Sequence, residues 1–160
     1  GGRRGQGSAM AFRSHMEAAL AEARAAASRG EVPVGAVVVD PGGRVVARAG
    51  NRTRELRDPS AHAELLAIRA ACAAAGSERL SGHALWVTLE PCPMCAAAAG
   101  LARLARLYVG ALDPKSGGVW HGPRVLSHPQ AHWAPELVEG IAAEESAALL
   151  RGFFASLRES

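Results

Sequence analysis

The segment that most constrains the fold is Val32–Asp40, which reads Val-Pro-Val-Gly-Ala-Val-Val-Val-Asp. Alternation with polar residues is missing from this β-branched run, so it suits a strand buried on both faces. A strand covered on both sides demands one layer of helices above it and another below. The rest of the chain supplies them. Met10–Arg29 is alanine-rich, with Phe12, Met16, Ala19, Leu20 and Ala23 at helical spacing, and Gly30 stands where a C-cap would. Pro41-Gly42-Gly43 is turn chemistry, which predicts an antiparallel return strand over 44–49. After a polar loop over 51–59 come a helix over about 60–75 stopped by Gly76, a strand over 84–89, and a helix through the alanine run to Leu104. A strand over 106–111 and a short one near 136–138 follow. The last predicted element is an amphipathic helix over 142–157 with Ala147, Leu150, Phe153, Phe154 and Leu157 as its apolar stripe. Strands alternating with helices predict the α/β class, a layered sheet with helices on both sides. The stretch 113–135, rich in Gly, Pro and His, has no readable period; a loop of that length is functional or disordered.

At 160 residues the chain is the size of one domain, expected over 10–160, with the glycine-rich residues 1–9 as a disordered tail. No uncharged apolar stretch of about 18 residues is present, so no membrane partner is expected. The net charge of +3 says little about nucleic acid: arginine outnumbers lysine 17 to 1, a bias typical of genome composition, and two of the arginines lie in the tail. Three cysteines, an odd count with one Cys-x-x-Cys pair and no secretory segment, argue against a disulfide scaffold and for a reducing cytoplasm.

Chemistry concentrates in His62-Ala63-Glu64 and Pro91-Cys92-Pro93-Met94-Cys95, each read as the start of a helix. Thiolates gain from a helix N-terminus, which lowers thiol pKa and favours metal binding. His62, Cys92 and Cys95 make three protein ligands, so tetrahedral zinc keeps its fourth position for water, the arrangement of a catalytic site. Glu64 is then the group that moves protons. Cys-x-x-Cys alone suits redox or zinc-ribbon chemistry, but the second pair that a ribbon needs is missing, and redox use leaves His-x-Glu unexplained. His-x-Glu followed 28 residues later by Pro-Cys-x-x-Cys is the signature of zinc nucleobase deaminases. One geometric difficulty remains: on a regular helix positions 62 and 64 are about 200° apart and share no face.

The segments Glu31-Val-Pro-Val-Gly-Ala36, Asn51-Arg52, Asp58-Pro-Ser-Ala-His-Ala-Glu64, Val87-Thr-Leu-Glu-Pro-Cys-Pro-Met-Cys95 and Gly110-Ala-Leu-Asp-Pro-Lys115 resemble the bacterial tRNA-specific adenosine deaminases. The resemblance runs from about Met10 to Leu157. It implies a cytidine-deaminase-like three-layer α/β/α sandwich around a five-stranded mixed sheet, one Zn2+ per subunit, and a homodimer. It also implies conversion of wobble adenosine 34 to inosine in the anticodon loop of a tRNA, in bacteria an arginine tRNA with an ACG anticodon. By the same resemblance Asn51 contacts the nucleoside, Pro33 and Val34 wall the base pocket, and the Ala63 N–H addresses the purine. Asp113 and Lys115 shape the pocket mouth, and His128 lies further along the RNA-facing segment. The loop over 116–124 and the pair His132-Trp133 depart from the commonest family pattern. Arg52, Arg54, Arg57, Lys115, Trp120, Arg124, His128 and Trp133 fall in the two loops expected at the rim, where cationic and aromatic side chains hold splayed nucleotides. Two other readings stay open: a deaminase of a free base or nucleoside, such as guanine or cytidine, and a non-enzymatic RNA-binding module with a structural zinc.

Overall fold

A computed structural model of the chain describes residues 15–158 in full and, of the helical residues flanking them, the backbone alone. The tail expected over 1–9 lies outside the fully described residues. The elements run α1 (Gly2–Ser28), β1 (Gly35–Val39), β2 (Val45–Gly50), α2 (Ala63–Ala75), β3 (Ala84–Leu89), α3 (Pro93–Leu101), β4 (Arg106–Ala111), β5 (Glu136–Val138) and α4 (Ala143–Glu159). The five strands form one sheet in the order β2-β1-β3-β4-β5. β1 is antiparallel to both β2 and β3, and β3, β4 and β5 run parallel, so the sheet is mixed.

The double-sided burial predicted for the valine run is found, and its residues alternate between two cores. Ala36 and Val38 join Leu85, Val87, Leu107 and Val109 in a core closed by α2 and α3. Val37 and Val39 join Trp86 and Tyr108 in a core closed by Met16, Ala19 and Leu20 of α1, with Leu149 of α4 at its edge. Trp86 and Tyr108, register partners on neighbouring strands, stack with ring centroids 3.9 Å apart. The three-layer α/β/α sandwich is thus built from period two in the strands. Helix α1 lies very close to β1: a Cβ on Gly35 would sit 1.9 Å from the Ala19 carbonyl oxygen, so only glycine fits beneath it.

The strand expected over 32–40 pairs only from Gly35, because the preceding segment folds back through a Val34 N–H to Val32 O bond of 2.8 Å. The 60–75 helix begins only at Ala63; its end is as expected, with Gly76 left-handed at φ 64° and its N–H on Cys72 O and Ala73 O. The third helix stops at Leu101 rather than 104. In α4, Phe154 of the expected stripe is 44% exposed, while Leu149, one residue off that stripe, packs inward. Among the described residues no helix is long and apolar enough to cross a membrane.

Strand directions decide where chemistry can gather. Gly35 opposes Gly50, and Ala36 opposes Val87. The start of β1 and the ends of β2, β3 and β4 therefore share one end of the sheet, and the loops and helix starts that follow β2 and β3 there carry every residue of the two motifs.

Candidate active site

His62 stands just outside α2 as its N-cap, in extended backbone at φ −77° and ψ 150°, while Glu64 is already in the first helical turn. This break in the helix removes the difficulty of two residues on opposite faces. Cys92 is likewise the N-cap of α3 (φ −67°, ψ 170°), Pro93 takes the first helical position where its missing N–H costs nothing, and Cys95 follows in the same turn. Cys92 Sγ lies 3.5 Å and Cys95 Sγ 3.6 Å from His62 Nδ1. Metal–nitrogen and metal–sulfur bonds of about 2.0 and 2.3 Å at a tetrahedral angle put N and S about 3.5 Å apart, so the three side chains fit zinc as they stand. Among the described residues this is the one cluster of three such donors.

The cluster is electrically coupled. The hydrogen bond from Cys95, against the effect of burial and with help from His62, pulls the Cys92 thiol down to about 4. The same bond, reinforced by burial, pushes Cys95 strongly up. His62 is raised, first by its bond with Cys92 and against burial. These shared protons are what a dication displaces on binding. Glu64, 4% exposed, is pushed up to about 7 by burial, against its own backbone N–H, the His62 charge and a bond to Cys95. A dication at the three ligands draws it down again.

Around this centre, Asn51 Oδ1 accepts the Ala63 N–H at 2.7 Å, joining the polar loop to the start of α2. The Ala63 N–H, expected to address the purine, is therefore already bonded. Pro33 and Val34 are buried, and Val34 O accepts the Asn51 N–H at 3.2 Å. The Asp113 carboxylate folds its own loop by accepting the N–H groups of Lys115 and Ser116 at 3.2 and 3.0 Å, with Lys115 exposed. His128 is not brought to the centre. It lines, with Gly100, Leu101 and Trp133, a cleft of about 430 Å³ along the far half of α3. Trp133 is fixed there by Nε1–H to Leu104 O at 2.8 Å, and Trp120 packs against the core. The single rim of basic and aromatic residues expected from the sequence is thus divided between two places.

Two glutamates given no role in the sequence reading organise the loops. Glu31, 2% exposed, accepts the N–H groups of Arg54 at 3.1 Å and Glu55 at 2.9 Å and faces the Thr53 hydroxyl at 3.5 Å. Burial raises its pKa, but these donors, with Arg29 nearby, win and hold it below the usual range. Glu90 does the same for the loop after β4, and its pKa too is lowered, because donors from Asp113, His121 and Trp120 outweigh burial. The signal available was an acidic residue set inside each apolar motif, Gly-Glu-Val-Pro-Val and Val-Thr-Leu-Glu-Pro-Cys.

Comparison with known proteins agrees with this geometry. Residues 11–111 match the cytidine and deoxycytidylate deaminase zinc-binding region. The chain is 59% identical over 150 residues to a tRNA-specific adenosine deaminase of Agrobacterium fabrum, covering 93% of this chain and 98% of that one. It is 43% identical over 145 residues to the enzyme of the same name from Bacillus subtilis, covering 91% and 89%. Its fold superposes with a TM-score of 0.84 and 58% identity, over 86% of this chain and 99% of the other, on a structure from biochemical and structural studies of A-to-I editing by tRNA:A34 deaminases.

Proposed function

The chain belongs to the zinc-binding cytidine and deoxycytidylate deaminase family and, within it, to the tRNA-specific adenosine deaminases, and from that premise we propose that it hydrolyses the wobble adenosine 34 of tRNA to inosine. The observation that carries the reading is the zinc-sized triangle of His62, Cys92 and Cys95 with the buried Glu64 carboxyl in the helical turn that starts at His62. Zinc, when held by these three side chains, would supply a water acidified toward neutral pH. Glu64 takes a proton from the attacking water and delivers one to purine N1, which makes C6 electrophilic. Attack of the water oxygen on C6 leaves a hydroxyl there; Glu64 then takes the proton of that hydroxyl and passes it to the amino group, which departs as ammonia while C6 becomes a carbonyl. Burial favours the neutral acid and a nearby dication the carboxylate, so Glu64 is poised to exchange protons in both directions. Pro33 and Val34 form the apolar wall of the base pocket. Since Asn51 Oδ1 is taken by Ala63, the Asn51 amide nitrogen is the donor we assign to the nucleoside. Asp113 and Lys115 form the mouth, and His128 meets RNA further from the reacting base.

The substrate proposed is the anticodon loop of an arginine tRNA with an ACG anticodon, acted on in the cytoplasm by a homodimer. Met94 and Leu101, 39% and 77% exposed on α3, offer apolar surface for a second copy, and sedimentation of the purified protein checks that part. Incubation with this tRNA followed by inosine detection tests the reaction itself. Turnover of guanine or cytidine with none on RNA would replace it by a free-base activity. Cys92→Ala should lower zinc per chain, measured by elemental analysis, from one to near zero. Unchanged zinc in that variant would overturn the ligand assignment.

A further inference from the structure

Glu90 ends the run out of β3, two residues before Cys92, and its side chain is wholly buried. The carboxylate receives five donors. Oε1 accepts the Asp113 N–H at 2.9 Å and faces His121 Nδ1 at 2.8 Å. Oε2 accepts the N–H groups of Val119, Trp120 and His121 at 3.2, 2.9 and 3.1 Å. All five belong to one stretch, residues 113–121, which thus folds around a single side chain as a loop does around a bound anion. Two glycines permit the approach. A Cβ on Gly117 would lie 2.4 Å from the Glu90 carboxylate, and one on Gly118 would lie 2.5 Å from Pro93 N. The Gly118 N–H also donates to Pro91 O at 2.8 Å, so the loop lies against the turn that carries Cys92. The loop contains none of the three metal-donor residues and not Glu64.

We propose that Glu90 is a positioning residue for substrate recognition: it shapes the 113–121 loop into the pocket mouth, and RNA affinity rather than metal retention or proton transfer depends on it. The proposal rests on the reading of the chain as a tRNA deaminase. A glutamine at this position keeps the volume but offers one acceptor, and its NH2 group faces N–H donors, so the loop must rearrange. Misplacement of recognition groups by even about 1 Å costs large factors in a substrate complex.

The test is steady-state kinetics of the full-length zinc-loaded protein on an anticodon stem-loop, with zinc per chain measured on the same samples. Glu90→Gln should raise KM about tenfold or more while kcat stays within about threefold and zinc is unchanged. A merely structural role shows the opposite split, with kcat and zinc falling together at constant KM. That result, or a wild-type KM, overturns the proposal. His121 provides a second route should Glu90→Gln fail to fold. His121→Ala removes one donor from the carboxylate and should raise KM, whereas His121→Asn, whose amide can donate in place of Nδ1, should restore it. Equal KM in all three proteins also overturns the proposal. A wild-type protein that forms no inosine in the stem-loop overturns the tRNA reading instead, so the two failures are distinguishable.

Discussion

Glu64 and Glu31 are both almost inaccessible carboxyl groups at the same end of one sheet, yet their surroundings drive them in opposite directions. Glu64 sits among other titrating groups, and burial dominates, pushing it up to about 7. Glu31 is as inaccessible to solvent but lies much less deep, so burial raises it less, and the N–H groups of Arg54 and Glu55 reach its oxygens and hold it ionised. Burial alone does not decide the charge of a carboxyl. Depth of burial and the number of fixed donors aimed at it decide together. A carboxyl with few fixed donors is free to exchange a proton. One saturated with backbone donors cannot be spared and becomes a structural anchor.

One substitution, Glu→Gln, tests that contrast at both sites. At Glu64 it should lower turnover by about 10²- to 10⁴-fold or more, with zinc retained and the unfolding midpoint little changed. A Glu64→Gln enzyme with wild-type inosine formation breaks the contrast at its strongest point. At Glu31 the amide loses charge-assisted bonds, and chemical denaturation should show a loss of about 2 kcal/mol, with turnover of the folded fraction largely kept. Acid sharpens the comparison. With its folded pKa below the ordinary 4.5, Glu31 gives its full stabilisation above that pH and loses it as pH falls through the folded value. Stability measured from pH 6 downward should therefore fall less steeply in Glu31→Gln than in wild type, and parallel curves would remove Glu31 from the acid response. The smallest effect belongs to Thr53→Ala: its hydroxyl stands at 3.5 Å from Glu31, and the loss should be under about 0.5 kcal/mol.

How legible each region was follows from how far its determinants reach along the chain. β3, β4 and β5 were found at their predicted residues because apolar patterning and flanking turns are local signals. The ligands His62, Cys92 and Cys95 were legible because their residue types and spacing admit few chemistries. The break before α2 was not, since His62 takes extended backbone and completes a cluster with cysteines 30 and 33 residues away. The 113–135 stretch showed no period because a large part of its shape comes from one distant side chain, Glu90. The placement of Trp133 at the α3 cleft involves a long-range bond to Leu104 O, which local patterning does not reveal.

The placement of the ligands on two helix starts, 30 residues apart in sequence, has a thermodynamic side. Any ion they share acts as a clasp on the chain, closing a loop that spans all of α2 and β3. In the unfolded chain that closure costs entropy that grows with the logarithm of loop length, and in the folded protein the ends already meet. Occupancy of the centre is therefore coupled to folding, and chelation loosens the sheet's functional end as well as stopping its chemistry.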